Sequence, residues 1–180
     1  MDEGRIDHHA AATFTKVPGP VRLDLEVGGI PVCLGDSLDS PEWRKACATG
    51  VFSRAGLVGK LALGVGFSSD DVYTARNQDL GLFGGKVFVG PDLGGGPLKY
   101  GTSALAIFRS RCLYRLRISV SGDRKAASHF AKQCAHALTR LQGEPSQLTK
   151  DGARVWWGSA DRLTLTLSGD ACLVHERVTG

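Results

Sequence analysis

Four arginines, Arg109, Arg111, Arg115 and Arg117, fall at odd positions, while Phe108, Cys112, Tyr114, Leu116 and Ile118 take the even ones. In extended chain this alternation sends the guanidinium groups to one side and the apolar groups to the other. Such a row suits carboxylates or phosphates, because a guanidinium forms two parallel hydrogen bonds with either. Trp156-Trp157 is the second unusual feature. Neighbouring strand residues face opposite ways, so one ring enters the core and the other is left to anchor a partner or stack on an arginine. Arg109, Arg111, Arg115, Arg117, Trp156 and Trp157 are therefore the candidate partner-binding residues, and a protein with an acidic surface is the expected partner. Nucleic acid is the alternative, weakened by a net charge of only +4 and by sparse aromatic interleaving.

Catalytic chemistry is poorly provided for. A reactive cysteine needs exposure and a nearby base. Cys134 falls on the apolar stripe of a helix, with His136 pointing nearly opposite. Cys172 and His175 differ by an odd number along a strand, Cys112 shares the parity of Tyr114 and Leu116, and Cys47 follows Trp43 by one turn. Four thiols thus read as core filling, and Cys33 as the exposed one. Asp36, Asp39, Asp70 and Asp71 flank serines at turns, where capping explains them. No Gly-x-Ser-x-Gly elbow or His-Glu-x-x-His helix occurs. No catalytic residue is assigned, although a hydrolase using Asp70, Asp71 or His175, brought together only by folding, stands as a rival reading.

Metal and phosphate sites fare no better, and no cofactor is expected. His129 and His136 share a helix face but lie two turns apart, about 10 Å by helical rise, with no carboxylate between. Asp7-His8-His9-Ala10 resembles the signature of the DHH phosphoesterases over these four residues. That family also uses an aspartate pair on an upstream strand, and only six residues precede the motif, so the resemblance implies no complete metal site. Gly56 to Leu61 lacks the spacing and hydroxyl of a phosphate-binding loop, and Gly64-Val65-Gly66 lacks the third glycine of a dinucleotide fingerprint.

The elements that must position these residues are clearest from Leu113 to Val178. Tyr114, Leu116, Ile118 and Val120 alternate with Arg115, Arg117 and Ser119 as a half-buried strand, and Ser121-Gly122-Asp123 supplies a turn and a cap. Ala127, Phe130, Ala131, Cys134, Leu138 and Leu141 recur at helical spacing until Gly143 and Pro145. Residues 154–157, 162–168 and 172–178 then read as three antiparallel strands. Upstream, residues 21–27 and 30–34 form a hairpin around Gly28-Gly29, and Ser40-Pro41-Glu42 starts a short helix that Gly50 closes. Leu57, Leu61, Leu63, Val65 and Phe67 predict a strand weakened by glycines, and Lys86 to Val89 a short strand ahead of a glycine-rich loop at 94–97.

The fold class expected is α+β, a mostly antiparallel sheet with one long and one short helix packed on one face, with two similar halves as a variant. Residues 1–20 are expected to be a flexible arm and 21–180 a single domain; any internal boundary falls near 90–103. Of the 180 residues, 42% are hydrophobic and 22% charged, as in ordinary globular domains. The polar start lacks a signal peptide's apolar region, no apolar run is long enough to span a bilayer, and the five cysteines form no C-x-x-C pair. A reducing, cytoplasmic setting without membrane contact is expected. Arginine exceeds lysine and Asn77 is the only asparagine, a bias that suggests a bacterial source. Nothing in the sequence fixes the oligomeric state.

Overall fold

The computed structural model describes residues 19–21, 23–66, 68–82, 85–88 and 101–178, and the backbone alone for 85–88. The Asp7-His8-His9 motif, most of the N-terminal arm, Phe67, Val89 and the loop at 94–97 lie outside these residues.

Alternation builds the sheets. Leu25 and Val27 of β1 (Leu25–Val27) and Ile30 and Val32 of β2 (Ile30–Val32) point inward. Gly28 and Gly29, with φ of 56° and 75°, form the tight turn their sequence predicts. These strands join β5 (Leu80–Leu82) and β6 (Gly85–Phe88) in a four-stranded sheet of order β2-β1-β5-β6. The larger sheet is eight-stranded, β3-β4-β7-β8-β12-β11-β10-β9, with every described pairing antiparallel. Its strands are β3 (Ser53–Arg54), β4 (Asp71–Arg76), β7 (Gly101–Arg109), β8 (Cys112–Ser121), β9 (Gln147–Leu148), β10 (Arg154–Trp157), β11 (Asp161–Ser168) and β12 (Asp170–Arg177). The protein is α+β, as its sequence pattern predicts.

One face of the large sheet carries the core. Helix α1 (Pro41–Ala48) starts at Ser40, whose hydroxyl accepts from Trp43 N, and buries Trp43 and Ala46. The Trp43 ring meets Phe52 and Phe108 at centroid distances of 4.7 and 4.6 Å. Helix α3 (Arg124–Gln142) is capped by Asp123 and lays Ala127, Phe130, Ala131, Cys134, Ala135 and Leu138 against β8, β11 and β12. Leu141, expected on that stripe, is exposed instead, two residues before Gly143 ends the helix. The buried cluster on this face is continuous from Val21 to Leu173.

Residues 57–66 correct the sequence reading. Leu57–Ala62 is a helix, α2, rather than a strand. Leu57 and Leu61 are four apart and so match a helical turn as well as strand alternation. Gly64 and Gly66, read from the sequence as glycines that weaken a strand, have φ of 71° and 72° and follow the helix end. The Lys60 ammonium donates to the carbonyls of Ser68 and Asp70, holding α2 beside β4. With Ala55, Leu63 and Val65, this segment covers Val72, Leu105 and Ile107 on the sheet face opposite the core.

Candidate partner-binding face

The arginine row is not one row. Ser110 and Arg111 adopt φ of 50° and 65° and reverse the chain between β7 and β8, so Arg109 and Arg111 belong to a hairpin end. A bulge follows, since Ile107 opposes Arg115 and Phe108 opposes Leu113, leaving Tyr114 extra. That extra residue reverses the inside–outside count. Cys112, expected inside, is exposed, and Leu113 is buried.

Each arginine then meets different surroundings. Arg109 reaches the buried Asp70, with its Nη2 3.3 Å from Oδ2, while the Tyr114 hydroxyl donates to the same oxygen at 2.9 Å. The Arg109 guanidinium also lies 4.2 Å from the Tyr114 ring centroid. Burial, then the Asp70 hydrogen bond, push the Tyr114 phenol above its usual value. This cluster braces the hairpin against the Lys60 segment. Arg111 instead donates to Asp39, and that hydrogen bond holds the Asp39 carboxyl below the usual range.

Arg115 and Arg117 occupy the open face of β8, β12, β11 and β10, open in that the described side chains of its two cross-strand rows are half-exposed, except Val155, which is buried. The register aligns Arg115, Glu176, Arg162 and Trp157 across four strands. Glu176 accepts from Arg162 Nε at 2.7 Å and lies 3.4 Å from Arg115 Nε, while the Arg162 guanidinium sits 5.3 Å from the Trp157 ring centroid. The next row is Arg117, Val174, Thr164 and Val155, with Leu105 on the far side of Arg117. Arg117 makes no ion pair among the described residues. Core helices α1 and α3 pack on the other face of the sheet, and on this face Ala55, Leu63 and Val65, which flank α2, cover the β4–β7 end.

The two tryptophans separate as strand geometry requires. Trp157 is half-buried on the open face, whereas Trp156 is fully buried and its indole donates to the Gly143 carbonyl at 3.0 Å. Trp156 therefore leaves the set of surface candidates, as do Arg109 and Arg111, which are bound in the hairpin cluster and to Asp39.

The residues considered for catalysis do not converge. Asp70 is enclosed by Arg109 and Tyr114, Asp71 pairs with Arg54, and none of three grooves on the described surface is lined by Asp70, Asp71 or His175. Burial pushes the Cys134 thiol up to about 12. Burial, then the Asp36 and Asp24 carboxylates, raise Cys33, which is exposed as expected. Cys47 and Cys172 are half-buried rather than fully enclosed. Among the described residues no three His, Cys, Asp or Glu side chains are grouped to hold a metal, and no helix is long and apolar enough to cross a membrane.

Sequence reasoning missed the pair Asp161–His175. Both are buried, His175 Nε2 lies 2.9 Å from Asp161 Oδ2, and Asp161 Oδ1 accepts from the Val21 amide at 3.0 Å. Nε2 is thus the protonated nitrogen of the neutral ring. Gly158 makes this junction possible, because a Cβ there would meet Val21 N at 2.8 Å as well as the Asp161 carboxylate. Burial lowers the His175 pKa below the usual imidazole value, outweighing the carboxylate that favours the cation. The unfolded chain therefore binds more protons, so the stability from neutral His175 is fully present above about pH 6.5 and is lost as pH falls through the folded value. The thermal midpoint is expected to drop between pH 8 and pH 5.5, and less steeply in His175→Gln; parallel curves for the two proteins would refute this assignment.

Comparison with protein families, with curated proteins and with solved structures finds no match to this chain.

Proposed function

We propose that this chain is a non-catalytic bacterial cytoplasmic protein that docks a macromolecular partner with an acidic surface on the open face of β8, β12, β11 and β10. An inhibitor, immunity-type or accessory protein would work in this way. Arg117 carries the proposal: among the described residues it makes no ion pair, and it stands between Leu105 and Val174. A carboxylate arriving there gains a guanidinium for which no described acid competes. Beside it, the Trp157–Arg162–Glu176–Arg115 row is ordered before contact, so little side-chain freedom is lost on docking. Trp157 and Arg162 are residue types that dominate interface energies.

Affinity capture from host lysate tests the proposal. Wild type is expected to recover a discrete partner that Arg117→Glu, Trp157→Ala retains at a tenth or less. Arg115 is left intact because reversing it would set two acids side by side at Glu176. Equal recovery by both proteins would defeat the proposal.

A further inference from the structure

On the other side of the large sheet, a trough runs between α3 and the strand ends of β11 and β10. Two adjoining hollows, of about 700 and 300 Å³, share Ser128, Lys132 and Leu167 in their walls. Arg124, Lys125 and Lys132 line it from the helix and Arg154 from β10, against one lining carboxylate, Asp151. All four cations are exposed. Like Arg117, these four make no ion pair among the described residues, whereas Arg44, Arg54, Arg109, Arg111, Arg115 and Arg162 each contact an acid; what distinguishes the four is that they line one continuous trough. Nearby acids are committed or outward: Asp123 caps Lys125 N and Ala126 N, and Asp170 lies exposed beyond the Ser168-Gly169 turn.

We infer that this trough binds the phosphodiester backbone of a nucleic acid. The chemistry follows from the lining. Arg124 to Lys132 spans about 12 Å of helix, and Arg154 extends the charge further, so a chain of phosphates is matched rather than a single one. No Phe, Tyr or Trp lines the trough, and the His129 imidazole is the single ring in its wall, so the contact rests on phosphates and depends little on sequence. The Ser128 and Ser168 side chains supply neutral donors beside the cations. The helix N-terminus plays no part, since Asp123 already occupies its first free amides.

Fluorescence anisotropy of the full chain with a labelled twenty-nucleotide DNA, single-stranded and as a duplex, is the test. Binding is expected to weaken with salt at a log–log slope of about −3 to −4, four phosphates being neutralised. Lys125→Glu, Lys132→Glu, two exposed changes, is expected to weaken binding at least tenfold in low salt and to reduce the slope by about half, with an unchanged thermal midpoint. Arg117→Glu, Trp157→Ala should bind DNA like wild type, which separates this site from the open face. Equal affinity of the trough variant, a salt-independent affinity, or competition by poly-glutamate as effective as by unlabelled DNA would overturn the inference.

Discussion

Trp156→Ala is expected to destabilise the protein by about 3–5 kcal/mol, whereas Trp157→Ala, one residue away, is expected to cost less than about 1 kcal/mol. Trp156 is fully buried in the main cluster, and its indole N–H is tied to the carbonyl that ends α3. Truncation opens a cavity and frees that carbonyl together. At about 2–4 °C per kcal/mol for a chain of this size, the melting temperature should fall by about 6–20 °C in one variant and barely in the other. Circular dichroism melts of the two single variants measure the difference. Equal losses would mean that β10 does not present these residues to opposite faces, and the open surface would lose its aromatic anchor.

The second large effect lies at Asp161, where one carboxylate satisfies two buried donors, the Val21 amide and His175 Nε2. Asp161→Ala leaves both unpaired and is expected to cost about 2–4 kcal/mol. Asp161→Asn keeps one oxygen acceptor and should lose less. Urea unfolding reports both, and a loss below about 1 kcal/mol in the alanine variant would show that the junction between Val21 and β11 contributes little. The pH dependence of His175 arises at the same junction, so His175→Gln and Asp161→Ala are expected to couple rather than add.

Much of this architecture was legible because hydrophobic period is a local signal. The alternation of Leu116, Ile118 and Val120 with Arg115, Arg117 and Ser119 gave β8, and the three- and four-residue recurrence from Ala127 to Leu138 gave α3. Gly28-Gly29 gave its hairpin. What failed was counting parity through residues 108–114, because the turn there uses Ser110 and Arg111 at positive φ, without the glycine or asparagine that marks such turns. The extra residue at Tyr114 has no signature in the sequence either, and it carried Cys112 to the surface. Over Leu57–Leu61 a spacing of four fits both periods, and the Lys60 bonds that favour the helix depend on β4 being in place.

The candidate surfaces divide along the same line. Arg115 and Arg117 share a face because β8 is regular there, and Trp157 reaches that face by simple alternation. That Glu176 lies beside Arg115 while, among the described residues, no acid pairs with Arg117 depends on the β8–β12 register, which no local pattern encodes. The trough lies further from view, since Arg154 joins Arg124, Lys125 and Lys132 only when α3 packs on the sheet. Asp161 and His175 likewise meet through the β11–β12 register.

The open face is tested most directly by the dissociation constant of the captured partner, measured by titration calorimetry against wild type and against Arg117→Glu alone. An affinity at least tenfold weaker in the variant, with both proteins melting at the same temperature, is the result expected. The same constant for both would show that the Arg117 guanidinium is solvated surface and that docking takes place elsewhere.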